Sequence, residues 1–331
     1  MTTNPSQHIS QTPRRLFAVA AVLIVAVVVR AAHDYRKPAG NSLSALAARV
    51  QANPGDEQAL LDWSDALHTA GRSQEAEQAL ARAADLRPMD ARPYNALAAL
   101  ALERQDDKTA LKEFRASLEC NPRDSNIWRS AGLLFQSERD SASATQAYAN
   151  ATSIDPKDEV AWRQLGSLEA SGAPAKAIQD LQRAVSLNPG DAYAESLLGT
   201  VALQDGRIAI AQPAFDQALK LNPHDELALI GAARVTMQME PTPAGLARAS
   251  GWIDEAMAAH PPAGAYLARG QWNLLQHRYQ PAVEDLRTAL KMDKTLKSAH
   301  SFLARACMSL GNTAEAQHES ALFLAANHSG Q

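Results

Sequence analysis

Cysteine is almost absent. Cys120 and Cys307 are the only two in 331 residues and lie far apart along the chain, so neither a disulfide framework nor a cysteine-based zinc cluster organises the fold. Aromatic residues are also few, 5% of the chain against 46% hydrophobic residues overall, which puts the apolar content into alanine and aliphatic side chains. That balance argues against a disordered chain and for an ordered helical one. No surplus of positive charge exists: the formal net charge is −4, with acids and bases interspersed. Without a basic stripe to neutralise phosphates, nucleic acid is not the expected partner.

Catalytic motifs are missing too. No Gly-x-Ser-x-Gly elbow, phosphate-cradling glycine loop or Cys-x-x-Cys pair occurs. His318-Glu319 opens like a zinc-protease helix, but the second histidine one turn on is lacking, so no metal ligand set follows. His68, His224, His260, His277 and His300 are expected at the surface or at helix ends. Asp106, Asp107 and Glu138 fall in turns and on polar faces, where solvation outweighs acid–base work. The chain is therefore expected to be no enzyme, with no cofactor, no metal and no small-molecule substrate.

One long hydrophobic run is present. Leu16 to Val29 (LFAVAAVLIVAVVV) follows Arg14-Arg15 without a polar interruption. As a helix it would span about 21 Å, short of a hydrocarbon core of roughly 30 Å. Ala31 and Ala32, with Arg30 reaching to the interface, extend it enough for an anchor with local thinning. The expected layout is a tail at 1–15, a transmembrane anchor at 16–32 and a linker at 33–41. A cleaved signal peptide is the alternative, leaving an exported soluble protein. Arg14-Arg15-Leu16-Phe17 also resembles part of a twin-arginine export signal. Positive charge flanks both ends of the run, so charge does not decide its orientation. The expectation is a cytoplasmic tail and an extracytoplasmic remainder, periplasmic in a bacterium.

Beyond residue 41 the chain repeats itself. Asn53-Pro54-Gly55-Asp56 returns as Arg87-Pro88-Met89-Asp90, Asn121-Pro122-Arg123-Asp124, Asp155-Pro156-Lys157-Asp158, Asn188-Pro189-Gly190-Asp191 and Asn222-Pro223-His224-Asp225. Successive prolines stand 34, 34, 34, 33 and 34 residues apart. Two stretches of helical periodicity lie between each pair, broken by turns such as Thr69-Ala70-Gly71-Arg72 or Gln204-Asp205-Gly206-Arg207. Proline stops the outgoing helix and the aspartate two residues later is placed to cap the incoming one, so each unit is a helix-turn-helix.

Inside the period, Trp128, Ala131-Gly132, Phe135, Ala144, Tyr148, Ala151 and Pro156 follow one another at fixed places. Trp162, Leu165, Gly166, Ala177, Leu181 and Ala184 repeat them, as do Leu198, Gly199, Ala211, Phe215 and Ala218. Earlier units carry Leu60, Trp63, Ala76, Leu80 and Ala83, then Tyr94, Leu97, Ala110, Phe114 and Ser117. This pattern resembles the tetratricopeptide repeat. The resemblance implies an all-α, right-handed α-solenoid of about eight helix-turn-helix repeats over 55–331, with a capping helix at 42–54. Small residues at Ala76, Ala110, Ala144 and Ala211 would let the paired helices approach closely. Toward the C-terminus the pattern loosens: Met239 to Gly245 looks like an insertion before a second helix at Leu246 to Ala259, and Lys294 stands where proline is expected.

The resemblance also implies a concave surface lined by first helices and suited to peptides or partner helices. The family's groove-facing places fall on Leu61, Asn95, Arg129, Arg163, Ser196 and Ile230. Asn95, Arg129 and Arg163 are the candidate peptide-binding residues, a polar stripe able to hold acidic segments or a terminal carboxylate. Members that clamp a carboxylate place basic residues and asparagines along this wall, a pattern that Leu61 and Asp65 break in the first unit. The competing reading makes the arginines solvated side chains. Leu227, Ile230 and Met237 form either an apolar patch or part of the core. The expected function is a membrane-anchored scaffold that binds other proteins, the alternative a non-catalytic assembly or regulatory subunit of a membrane-bound enzyme complex of the envelope or cytochrome maturation type.

Overall fold

The computed structural model describes residues 42–258 and 260–328. Among them are seventeen α-helices and no strand. A lone helix, α1 (Leu43–Ala52), precedes eight helical hairpins. The first three are α2 (Glu57–Thr69) with α3 (Ser73–Leu86), α4 (Ala91–Glu103) with α5 (Asp107–Cys120), and α6 (Ser125–Ser137) with α7 (Ser141–Ile154). Then come α8 (Glu159–Glu169) with α9 (Pro174–Leu187), α10 (Ala192–Gln204) with α11 (Ile208–Leu221), and α12 (Glu226–Met239) with α13 (Pro243–Ala256). The last two are α14 (Ala263–Leu275) with α15 (Tyr279–Met292) and α16 (Lys297–Ser309) with α17 (Thr313–His328). The molecule is an all-α repeat solenoid. Two compact units divide between Ala161 and Trp162, in the first turn of α8. The tail 1–15, the apolar segment 16–32 and the linker 33–41 lie outside the described residues, among which no helix is long and apolar enough to cross a membrane.

The Pro-x-Asp punctuation does what the sequence leads one to expect. Asp56, Asp90, Asp124, Asp158, Asp191 and Asp225 each accept a first-turn backbone N–H of their own helix, from Ala59, Arg92, Asn126, Ala161, Ala194 and Ala228 at 2.8–3.1 Å. Each cap of this kind contributes about 1 kcal/mol. Where the motif lapses the cap lapses: the residue before α14 is Pro262 and the one before α16 is Leu296, and neither side chain caps its helix.

Close packing within hairpins comes from small residues meeting large ones. Ala76, Ala110, Ala144 and Ala211 are fully buried. A Cβ added at Gly132 would lie 2.8 Å from Tyr148, one at Gly166 2.8 Å from Leu181, and one at Gly270 2.7 Å from Leu286. The core is accordingly a chain of clusters. In the first unit α4 supplies Leu100 to the cluster around Leu60, Leu67 and Leu80, and Ala98 and Leu102 to the one around Phe114 and Ile127. In the second, Leu219 and Trp252 pack against both the cluster around Phe215 and the one around Ile253.

One segment, α13, departs from what the sequence leads one to expect. Residues 243–245, expected in an insertion, form the first turn of α13, because Thr242 caps Gly245 N at 3.2 Å and Pro243 follows at the first helical position, where its missing N–H costs nothing. The helix also ends earlier than expected, at Ala256. His300 lies at a helix end, in the first turn of α16, where it is half-buried and its Nδ1, 2.6 Å from Glu319 Oε2, ties α16 to α17.

Candidate functional site

The sequence assigns the groove to residues five places after each N-cap, and the structure gives most of them internal partners. Arg129 Nη1 reaches Asp158 Oδ2 at 2.8 Å and its Nη2 reaches Asn126 Oδ1 at 3.1 Å. Asp158 thereby splits its carboxylate, one oxygen for Ala161 N of its own helix and the other for the preceding hairpin's arginine. Arg163 does the same in the second unit, its Nη1 pairing with Asp191 Oδ2 while Asp191 Oδ1 caps α10. Ser196 Oγ donates to Asp225 Oδ1 at 2.8 Å. These ties join residues 29, 28 and 29 positions apart. The repeated aspartate is thus both a helix cap and a socket for the hairpin before it.

Asn95 departs from the series, its Oδ1 accepting from Ser117 Oγ at 2.5 Å across the α4–α5 hairpin. Asn95 and Arg129 belong to the first unit and Arg163 to the second, each engaged in its own pair. Both arms of the Arg129 fork that would take an acidic ligand are occupied. Ile230 and Met237 are core residues at 8% and 2% exposure, leaving Leu227 exposed by itself, so these three make no patch. The register explains it: Ile230 packs within α12's cluster with Leu229 and Ala265.

Four arginines of the described residues are partly buried rather than exposed: Arg129, Arg163, Arg234 and Arg269. Three have carboxylates. Arg269 forks onto Asp285, with Nη2 at 2.5 Å from Oδ1 and Nε at 3.0 Å from Oδ2, and this hydrogen bonding raises its pKa. Arg234, on α12, makes no ion pair, its Nε is buried without a hydrogen-bond partner, and burial alone pushes its pKa down. No sequence motif marks Arg234, because its peculiarity is a missing neighbour. Its neighbourhood is a row: α12 packs on one side against α10 and on the other against α14, and α14 against α16, so first helices follow one another through the second unit. No group of three His, Cys, Asp or Glu side chains among the described residues is arranged to hold a metal.

A stack of helical hairpins with a row of first helices is the architecture of an α-helical repeat solenoid. The tetratricopeptide repeat model matches residues 41–125 and 196–238. Among solved structures, the chain is similar to YrrB, described as a TPR protein with an unusual peptide-binding site (19% identity, 56% of this chain and 96% of that one, TM-score 0.50). It is similar to the Cut9-Hcn1 hetero-tetramer of the APC/C over 82% of this chain and 53% of that one (17% identity, TM-score 0.54). A third likeness is to the C-terminal part of a TPR repeat-containing protein from Cytophaga hutchinsonii (18% identity, 73% of this chain and 98% of that one, TM-score 0.51). At these identities the likeness is one of fold. No curated protein matches the chain.

Proposed function

We propose that this protein is a non-catalytic scaffold, anchored to a membrane by residues 16–32, that binds peptides or helices of other proteins on the row of first helices. The observation that carries the reading is that row. In the second unit α10, α12, α14 and α16 pack in succession, so side chains from several repeats contribute to one continuous face. Such a face binds an extended segment by summing small contacts along its length, without turnover. The apolar run behind Arg14 and Arg15 supports the anchor, with the repeats on the extracytoplasmic side.

Crosslinking in the native host, followed by gentle detergent extraction and mass spectrometry, tests it. Crosslinks from client proteins to α10, α12, α14 and α16 are expected, and the chain should resist alkaline carbonate washing with residues 1–41 still attached. Crosslinks confined to the second helices would overturn the assigned face. Release into the wash would overturn the anchor, and one enzyme recovered in fixed stoichiometry would make the protein a subunit of that enzyme's complex.

A further inference from the structure

In the first unit, α2, α3 and α4 surround a recess of about 70 Å³. Its apolar lining includes the buried Leu80 of α3 and Ala99 and Leu100 of α4. Its polar lining is Asp65, His68 and Glu103, with the hydroxyls of Ser64 and Thr69. No lysine or arginine is among the described residues that line it. The space takes the end of one side chain and is too small for a drug-sized ligand, which needs about 300 Å³ or more. Asp65 is also one of the two residues that break the groove's basic pattern in the first unit, so the break and the recess coincide.

What the recess can hold follows from its hydrogen-bond inventory. Ser64 Oγ donates to Leu61 O and Thr69 Oγ1 to Asp65 O, each at 2.8 Å, which keeps both hydroxyl protons within α2. His68 Nε2 lies 3.2 Å from Glu103 Oε1 and joins α2 to α4. A neutral imidazole donates from one nitrogen and accepts at the other, so a ring that donates to Glu103 carries its lone pair on Nδ1. That Nδ1 is buried and has no hydrogen-bond partner. Every side-chain donor of the lining is therefore spent inside the protein, and what remains to face a ligand is acceptors and negative charge. The arginines just beyond α2 and α4 are engaged elsewhere, Arg72 with Glu75 and Arg104 with Glu77.

A ligand for such a site has donors and no acceptor, a positive charge and an apolar stem. Lysine has all of these: three N–H donors on a compact ammonium, and methylenes that cover apolar surface while the charge stays at the rim. Arginine carries a larger planar fork that calls for a partner in its own plane. A metal ion does not match, since no three His, Cys, Asp or Glu side chains among the described residues are arranged to hold one.

We propose that the recess between α2 and α4 takes a lysine side chain of a bound partner segment, its ammonium held by Asp65, Glu103 and the lone pair of His68 and its stem lying on Ala99 and Leu100. This rests on the scaffold reading and gives the client a sign opposite to the acidic segments expected from Asn95, Arg129 and Arg163: it carries a lysine where it docks on the first unit.

The test uses the full chain in detergent, labelled with nitrogen-15 at histidine, and acetylated, amidated Ala/Gly pentapeptides with a central Lys, norleucine or Glu. Long-range proton–nitrogen spectra report each imidazole nitrogen, and His68→Gln identifies the His68 signals. The Lys peptide is expected to shift His68 Nδ1 saturably, while norleucine, which keeps the stem and lacks the charge, and Glu leave it in place. n-Butylamine has the same stem and charge without a backbone and should need a several-fold higher concentration; equal potency would make the site one for free amines and overturn the partner segment. Asp65→Asn combined with Glu103→Gln should weaken binding of the Lys peptide about tenfold or more, as loss of a charge-assisted hydrogen bond does. Because Glu103 also ties α4 to His68, Asp65→Asn alone, at an exposed position, is the variant that spares the packing, and it should weaken binding several-fold. Norleucine or Glu peptides bound as tightly as Lys, or undiminished Lys binding by both variants, would overturn the site. If crosslinked clients are recovered equally by wild type and the double variant, the lysine site fails and the scaffold stands. If wild type captures no client while the Lys peptide binds, the scaffold fails and the recess stands.

Discussion

Asp180 and Glu169 set two carboxyl groups against each other inside the α8–α9 hairpin. Glu169 Oε1 is held by Lys176 Nζ, while Glu169 Oε2 and Asp180 Oδ2 are buried without a donor. Burial first, then hydrogen bonding with Glu169 and its charge, pushes the Asp180 pKa up to about 7, with Lys176 pulling the other way. One proton shared by the pair satisfies both oxygens. The folded state keeps that proton where an unfolded aspartate releases it near 3.8, so the stabilisation is complete below about pH 4 and is lost as the pH rises through about 7. The α14–α15 hairpin solves the same problem differently: Asn273 Nδ2 donates to Asp285 Oδ2 at 2.9 Å. Glu169→Asn copies that solution and gives Asp180 a donor at every pH. The variant should gain about 1–2 kcal/mol at pH 7.5, the cost of an unsatisfied buried acceptor, and less at pH 4.5. Thermal melts across that range measure it, and a gain that is the same at both ends would show that the proton is not shared.

In six of the eight hairpins the turn holds one residue in the left-handed region. Gly71, Gly206 and Gly311 adopt φ of 74°, 75° and 81°, and Gln105, Arg139 and His277 hold φ of 60°, 63° and 56° in the corresponding turns. A side chain in this left-handed region is disfavoured by about 1–2 kcal/mol. Arg139→Gly should therefore stabilise the α6–α7 hairpin by about 0.5–1 kcal/mol, and Gly206→Ala should destabilise α10–α11 by about 1 kcal/mol, both read by chemical denaturation. Changes of the same sign in the two variants would contradict the assignment. Elements of this kind are legible in sequence because their causes are local: proline, the capping aspartate and the buried alanines each act within a few residues. The insertion misread at 239–245 had a local signal as well, the Thr242-Pro243 cap. The Arg–Asp ties were harder. Their trace is the 28- or 29-residue offset between an arginine and the next cap, visible only once that aspartate is known to have an oxygen to spare. Arg234 left no trace, since a sequence with 36 acidic residues cannot say which base lacks one nearby.

At the scale of the molecule, stability is a sum over neighbours, because hairpins bury their faces on one another. Phe215 of α11 makes this concrete in the second unit. It fills the space that a Cβ would take at Gly199 on its own partner helix, 2.6 Å away, and at Gly231 on the next first helix, 2.1 Å away. One ring thus couples two consecutive hairpins, and it cannot retreat from a methyl on α12 without losing its seat on α10. Gly231→Ala should cost about 1–3 kcal/mol by overpacking. Gly251, exposed on α13 with nothing within 4 Å of an added Cβ, is the control, and Gly251→Ala should gain about 0.5–1 kcal/mol. Hydrogen exchange followed by mass spectrometry distinguishes a neighbour-coupled array from a single cooperative body. In Gly231→Ala the loss of protection should be concentrated in α10 to α13 and fade toward α16 and α17. Protection lost evenly over all these helices would mean that the second unit unfolds as one block, and the nearest-neighbour account of the solenoid would have to be abandoned there.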